Sequence, residues 1–408
     1  MSLSHPLVAL LDTPADPARR VAFGPGRNAD RSNADLIADA RALALELSSD
    51  RGGRWLVETE DAYRIAVALL AAAMAGARIV LPPNLQPGTL EELASACDRV
   101  FVDAASRLTG DARALDPLVP GERTATAGNP ARVEVNGEST DVAGDRPTKI
   151  DREAPLVELF TSGTSGPGKL VTKSLCHLED EVVVLEDTLG GDLGSETRVL
   201  ATVSAHHLYG LLFRVLWPLA AARPFCRVSF LLPDELLARV GEAGNAVVVS
   251  SPAHLRHLAA SARLAAHAGA LRTIFSSGGP LEQATAIALE SAIGHAPVEI
   301  FGSTETGGVA SRRVTTADPF PRWTLFAHVA IAVSPEEQQL LVSSPFVTPP
   351  QGSSPPAPRT WGMGDRVERD GDGFRLLGRS DRIAKVGEKT FSLPEIETSL
   401  VAHDAVEN

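Results

Sequence analysis

Two doubly wound, mostly parallel α/β sheets followed by a small β-rich region are the fold this sequence predicts, and three observations predict it. Apolar helical stretches alternate with short β-branched runs along most of the chain up to Phe301, the pattern of strands joined by crossover helices. At 408 residues the chain exceeds what one hydrophobic core supports, so more than one sheet is needed. After Phe301 the texture changes to short strand-like runs divided by Gly, Pro and Asp turns, which is the texture of an antiparallel region.

In order, residues 62–75 read as a helix and 77–81 as the strand after it; 91–97 read as a helix and 100–102 as the next strand. Residues 109–151 are rich in Gly, Pro, Asp and Thr and lack periodicity, which predicts loops and short edge strands. Residues 156–160 form a short buried strand. A second alternating block covers 198–203, 211–219, 246–249, 253–268, 273–275, 281–293 and 298–301. Short strands are expected at 329–333, 339–343, 366–369 and 374–377, with a solvated connector at 351–358. The expected organisation is a large domain over 1–380, with α/β parts at about 1–195 and 196–305 and a β-rich, distorted-barrel part at about 306–380, and then residues 381–408.

Composition excludes some functions. The formal net charge of −13 leaves no basic excess to displace counterions from a phosphate backbone, so no nucleic-acid partner is expected. Cys97, Cys176 and Cys226 are few, odd in number and far apart, which fits a reducing compartment and ordinary core residues rather than a disulfide framework or zinc site. Residues 65–75 are apolar but too short to span a membrane and are closed by Gly76, so a buried helix is expected. The N-terminus has no basic region leading into a long apolar run, and Asp12 and Asp16 interrupt it; a cytoplasmic protein is the expectation.

The most informative stretch is Phe160-Thr161-Ser162-Gly163-Thr164-Ser165-Gly166-Pro167-Gly168-Lys169. A strand that opens into a Gly/Ser/Thr loop points successive backbone N–H groups at one concavity, the hydroxyls add donors and the lysine adds charge, so the expected occupant is a nucleotide's phosphate tail. It is not a Walker loop, which needs four residues between its glycines and then Gly-Lys-Ser/Thr. The competing reading is a flexible linker, since Gly and Ser also make linkers.

Further along stand Ser277-Gly278-Gly279-Pro280-Leu281, then Phe301-Gly302-Ser303-Thr304-Glu305-Thr306-Gly307-Gly308, then Gly364-Asp365 and Gly378-Arg379-Ser380-Asp381. In this order, from about Trp55 to Glu397, the motifs resemble the adenylate-forming (AMP-binding) superfamily, which includes acyl- and aryl-CoA synthetases. The resemblance implies roles. Thr161, Ser162, Gly163, Thr164, Ser165, Gly166 and Lys169 would hold the phosphates that leave as pyrophosphate. Gly278, Gly279 and Pro280 would let backbone approach the purine, and Phe301, standing where the family has tyrosine, would stack on adenine. Gly302 and Ser303 continue that nucleotide-binding stretch, Thr304 would lie near the α-phosphate, and Glu305 would bind Mg²⁺. Asp365 would accept from the ribose hydroxyls, Arg379 would reach ribose and phosphate, and Asp381 would be the hinge. His207 matches the histidine that flanks the carboxylate substrate, with His206 competing for the position and Ser204 in place of the customary proline. The phosphate loop also departs from the family pattern: its proline comes one position early, Gly168 stands before Lys169 and Leu170 follows it.

The implied chemistry is that of an acid–thiol ligase. A carboxylic acid, aryl or short to medium acyl, attacks the α-phosphorus of ATP with Mg²⁺ and Lys169 balancing charge, and coenzyme A then takes the acyl group. The resemblance also implies a small C-terminal domain whose far end carries a catalytic lysine. Here Ala384-Lys385-Val386-Gly387 and Leu393-Pro394-Glu395-Ile396-Glu397 are present and the sequence ends at Asn408, so a truncated C-terminal domain is expected. Two alternatives stay open: a module loading an acyl carrier protein's pantetheine, and a nucleotide- or acyl-binding relative without turnover. Charged residues expected for an amino-acid substrate are lacking, which disfavours that class.

Overall fold

The computed structural model describes residues 6–12, 16–25, 29–46, 51–102, 114–115, 150–161, 169–335, 338–379, 383–386 and 389–392. The chain divides into two compact units: Met1–Val183 with Leu193–Phe230, and Val184–Asp192 with Leu231–Asn408.

The first unit runs through α1 (Pro6–Asp12), β1 (Arg20–Phe23), β2 (Arg31–Ser32), α2 (Asn33–Glu46), β3 (Arg54–Glu58), α3 (Ala62–Ala75), β4 (Arg78–Val80), α4 (Pro87–Ser95), β5 (Arg99–Val102), β6 (Ala114–Leu115), β7 (Pro155–Phe160), β8 (Leu170–Ser174) and the start of α5 (Leu175–Leu189). After Leu193 come β9 (Arg198–Ala201), α6 (Leu208–Gly210), a π-helical turn (Leu211–Leu216), α7 (Trp217–Ala220) and β10 (Phe225–Cys226).

Strands β3 to β8 form one sheet in the order β6-β5-β3-β4-β7-β8, parallel except that β8 returns antiparallel to β7. Its central strands are buried almost throughout, as expected of parallel strands covered on both faces. Helix α3 shows how the sequence builds the cover. Asp61 caps it by accepting from the backbone N–H groups of Tyr63 and Arg64, satisfying donors that a first turn leaves open. Its apolar run is buried on nearly every side, and Gly76, at φ 68°, closes it. A second set of strands, in the order β9-β10-β1-β2, is parallel apart from the β1–β2 pair.

The second unit contains α8 (Pro233–Ala243), β11 (Ala246–Ser250), α9 (Pro252–Ala259), a 3₁₀ helix (Leu264–Ala270), β12 (Leu271–Ser276), α10 (Gln283–Ile293), β13 (Val298–Ser303), β14 (Gly307–Arg312), β15 (Trp323–Leu325), β16 (Ala330–Val333), β17 (Gln339–Ser343), β18 (Thr360–Asp370) and β19 (Gly373–Arg379). Strands β11, β12 and β13 are parallel. The β-rich region predicted after Phe301 continues from β13 as antiparallel strands in the order β14-β15-β19-β18-β17-β16. A last antiparallel pair joins β20 (Ile383–Val386) and β21 (Lys389–Ser392).

Two predicted elements differ in form. The helix expected over 253–268 divides into α9 and the 3₁₀ helix, because Ser261 turns the chain: its Oγ accepts from the Arg263 N–H at 3.3 Å and its carbonyl from the Leu264 N–H at 3.2 Å. The apolar run 211–219 winds first as a π-helix and then as α7. Most of 109–151 lies outside the described residues. No helix among the described residues is long and apolar enough to cross a membrane.

Candidate active site

In the first unit, β7 and β8 form a hairpin whose connection is the predicted phosphate loop. Phe160 pairs with Leu170, and beyond that pair the Thr161 N–H donates to the Lys169 carbonyl at 2.9 Å while the Lys169 N–H donates to Thr161 Oγ1 at 3.1 Å. Thr161 and Lys169 thus close the neck of the loop, with the Lys169 side chain exposed. Ser162, Gly163, Thr164, Ser165 and Gly166 lie outside the described residues.

Sequence reasoning missed the charge under that hairpin. Glu158 in β7 is 2 % exposed and receives Arg54 through Nε and Nη2, at 3.0 and 2.6 Å, with Arg78 Nε at 3.2 Å. A lone carboxylate in an otherwise apolar strand is the signal that was available, because a buried charge requires a partner.

His207 belongs to the segment that leads into the π-helical turn, and the structure separates the two histidines. His206 is buried and His207 exposed, though the His207 imidazole is still desolvated enough to lower its pKa. Ser204, which replaces the customary proline, braces the buried one. Its Oγ lies 3.0 Å from His206 Nδ1 and accepts the His206 backbone N–H at 3.2 Å. Burial, reinforced by repulsion from His207 when protonated and from Arg214, and partly opposed by the carbonyls of Val57 and Thr59, brings the His206 pKa down to about 4. His206 is therefore neutral near neutral pH. The spacing from His207 to Gly210 has a steric cause, since a Cβ on Gly210 would stand 1.9 Å from the Ser204 carbonyl oxygen. Arg214, on the π-helical turn, closes the segment from behind by donating to the carbonyls of Val203 and Arg227 at 3.1 and 2.7 Å.

In the second unit, the Ser277–Leu281 turn is fastened to β13 at both ends. Ser277 Oγ donates to the Ile300 carbonyl at 2.9 Å, and the Leu281 N–H reaches Glu299 Oε2 at 3.4 Å. Between these anchors Gly278, Gly279 and Pro280 are exposed, leaving their backbone open to a ligand. Phe301 is half-buried, with its ring 5.4 Å from those of both Trp323 and Phe374. Gly302 follows at a register shift, and a Cβ there would come within 2.2 Å of the Gly307 carbonyl oxygen; only glycine lets β13 and β14 approach so closely.

The turn that joins those strands is closed by two hydroxyls. Ser303 and Thr306 each accept the other's backbone N–H, and Thr306 Oγ1 also contacts the Gly307 carbonyl at 3.0 Å. Thr304 and Glu305 are held at the tip, both half-buried, and the Glu305 carbonyl accepts from the Thr348 N–H at 2.9 Å. A hydroxyl and one carboxylate are hard oxygen donors, and among the described residues no group of three or more His, Cys, Asp or Glu side chains gathers. One carboxylate completed by phosphate oxygens and water is a donor set that suits Mg²⁺. Asp365 and Arg379 are cross-strand partners on β18 and β19, with Nη1 and Oδ2 3.6 Å apart. Asp381 lies outside the described residues.

A family model described as AMP-binding enzyme matches residues 14–341. Among curated proteins the chain is similar to a 4-coumarate–CoA ligase of Halorhodospira halophila, 29 % identical over 257 residues, and to one of Rhodobacter capsulatus, 28 % identical over 248 residues. Each alignment takes 60 % of this chain, and the chain spans 56 % and 58 % of the lengths of these relatives. Among solved structures it resembles ATP-bound MatB from Rhodopseudomonas palustris, with a TM-score of 0.79 at 21 % identity over 100 % of this chain and 84 % of that one. It also resembles the anthranilate CoA ligase AuaEII in complex with anthranoyl-AMP, with a TM-score of 0.77 at 18 % identity over 98 % of this chain and 82 % of that one.

Proposed function

We propose that this chain, which belongs to the AMP-binding enzyme family, activates a carboxylic acid with ATP and passes it to coenzyme A, as an AMP-forming acid–thiol ligase. The observation that carries the proposal is the hydroxyl-closed turn of the second unit, which presents Thr304 and Glu305 from the strand that bears Phe301. Around it the exposed Gly278–Pro280 backbone supplies a surface for a nucleobase, Phe301 an aromatic edge, and Asp365 with Arg379 a hydrogen-bonding pair for ribose.

On this reading Lys169, and the loop whose neck it closes, neutralise the β- and γ-phosphates, and Thr304 contacts the α-phosphate. Mg²⁺, when bound, would supply charge compensation for the leaving pyrophosphate, and Glu305 is the protein group that would hold it. The substrate carboxylate attacks the α-phosphorus in line. The bond from that phosphorus to the bridging oxygen breaks, pyrophosphate departs and an acyl-AMP anhydride remains. Attack of the coenzyme A thiol on the acyl carbon then releases AMP, with His207 flanking the acyl group. An aryl or short to medium acyl acid is the proposed substrate; the two curated relatives named for 4-coumarate and the structure holding anthranoyl-AMP favour the aryl class. A cytoplasmic setting agrees with Cys97, Cys176 and Cys226 being buried thiols rather than disulfide partners.

The test is ATP–pyrophosphate exchange with a panel of aryl, short-chain and medium-chain carboxylic acids. Exchange that depends on one class identifies the substrate. Absence of exchange with every acid, in a protein that binds ATP, would point instead to a binding relative without turnover.

A further inference from the structure

Glu299 and Arg312 are charged residues inside the parallel-to-antiparallel junction of the second unit, and none of the roles given above employs them. They face each other across β13 and β14. Arg312 Nε lies 3.0 Å from Glu299 Oε1 and Nη2 lies 3.1 Å from Oε2, a bidentate pairing that fixes both side chains in orientation as well as distance. The carboxylate is 4 % exposed and the guanidinium 21 %.

The pair has a neighbour on each side. Toward the Ser277–Leu281 turn, Glu299 Oε2 also receives the Leu281 N–H at 3.4 Å. Toward β15, the Arg312 guanidinium lies 4.4 Å from the centroid of the Trp323 ring, the geometry of a cation–π contact. Trp323 in turn pairs in register with Phe374 and packs on Phe301. One carboxylate, one guanidinium and one indole thus connect the turn that follows β12 to the ring that follows Glu299 by two residues on β13. This row holds the Leu281 end of that turn against β13, while the Ser277 Oγ bond to the Ile300 carbonyl holds the other end.

We infer that Glu299 and Arg312 are positioning residues for the nucleobase: they set the spacing between the Gly278–Pro280 backbone and the Phe301 ring, and thereby the preference for a purine. This inference rests on the nucleotide reading of the turn and of Phe301. Bidentate geometry is what the spacing depends on, so a lysine at 312 keeps the charge and loses the lock, and a glutamine at 299 keeps the shape and loses the anion that two donors share.

The experiment compares the unmodified chain with Arg312→Lys, Glu299→Gln and Phe301→Ala, measuring ATP and CTP affinity by calorimetry, the KM for the acid, and thermal stability. Arg312→Lys and Glu299→Gln are expected to weaken ATP binding roughly fivefold, the size of one coupling between contacting residues. The ratio of ATP to CTP affinity should fall by a similar factor, while the KM for the acid changes by less than about twofold. A fall in melting temperature with ATP affinity and ATP/CTP preference both intact would make the pair structural only and overturn the inference. Phe301→Ala separates the two levels. If it weakens ATP binding while the paired variants do not, the inference alone fails; if it too leaves ATP binding unchanged, the nucleotide reading of this surface fails with it. Should Glu299→Gln not fold, Arg312→Lys, which retains the charge balance, decides the question.

Discussion

The hydroxyls of Ser303 and Thr306 lie 3.1 Å apart, and each receives the other residue's backbone N–H, at 3.2 and 3.1 Å. Thr306 is fully buried, so water does not take the place of its Oγ1 in this closure. Thr306→Val keeps the shape and orphans the Ser303 N–H, a change expected to lower stability by about 1–2 kcal/mol. Because the same closure aims Thr304 and Glu305, pyrophosphate exchange should fall roughly tenfold or more, beyond what the stability loss explains. Thr306→Ser should retain most of both. Denaturant unfolding and exchange measured on the same preparations check the pairing of effects.

Lys169 carries an exposed ammonium at the neck of the β7–β8 loop. Lys169→Met preserves most of the apolar stem and removes the charge, so ATP affinity or exchange is expected to drop by roughly tenfold or more, the effect of one charge-assisted hydrogen bond. Its backbone bonds to Thr161 do not involve the ammonium, so melting temperature should not move. Unchanged exchange would remove the phosphate role from this residue.

Glu305→Gln keeps the side-chain outline and loses the hard anionic ligand. The expected result is an activity curve displaced to higher Mg²⁺, with the folded state intact by circular dichroism. A Mg²⁺ titration superimposable on that of the unmodified chain would rule out the metal role.

His206 gives a pH signature of stability. Burial keeps its pKa at about 4 against an ordinary 6.5, so between those values the unfolded chain takes up a proton that the folded chain refuses. Stability from this residue is complete above about 6.5 and is lost as pH falls toward about 4, by up to about 3 kcal/mol. His206→Gln should flatten the dependence over that window. Urea midpoints measured at about pH 7.5 and about pH 5 for both proteins test it; parallel slopes would assign the acid sensitivity to other groups.

How much of this was legible depended on whether a residue acts through its neighbours in sequence or across strands. The turn from Phe301 to Thr306 was readable because glycine, hydroxyls and a carboxylate crowd into one short stretch, and α3 because a long apolar run stops at Gly76; the cap that Asp61 supplies came only with the structure. Asp365 and Arg379 were each visible as motif members, but their meeting is a matter of strand register, which pairing alone decides. Glu299 and Arg312 were passed over because each sits in an apolar strand where the pattern records only burial; the partner that makes the charge tolerable lies on another strand. The π-helical turn at Leu211–Leu216 left no trace, since all six of its residues are buried and a run broken only by Arg214 carries too little phase to tell one winding from another. Ser204 looked like a mere departure from the family pattern until its hydroxyl was seen holding His206.

The neck formed by Thr161 and Lys169 has a thermodynamic consequence for whatever binds above it. A chain segment whose ends are already joined has incurred its closure entropy on folding, so that part of the cost does not fall on the binding step. Thr161 can therefore act on affinity through the neck as well as through any contact with the phosphates: removing its Oγ1 releases one of the two bonds across the neck and shifts part of the closure cost onto the binding step. The signature of such a change is a less favourable binding entropy with the binding enthalpy nearly conserved.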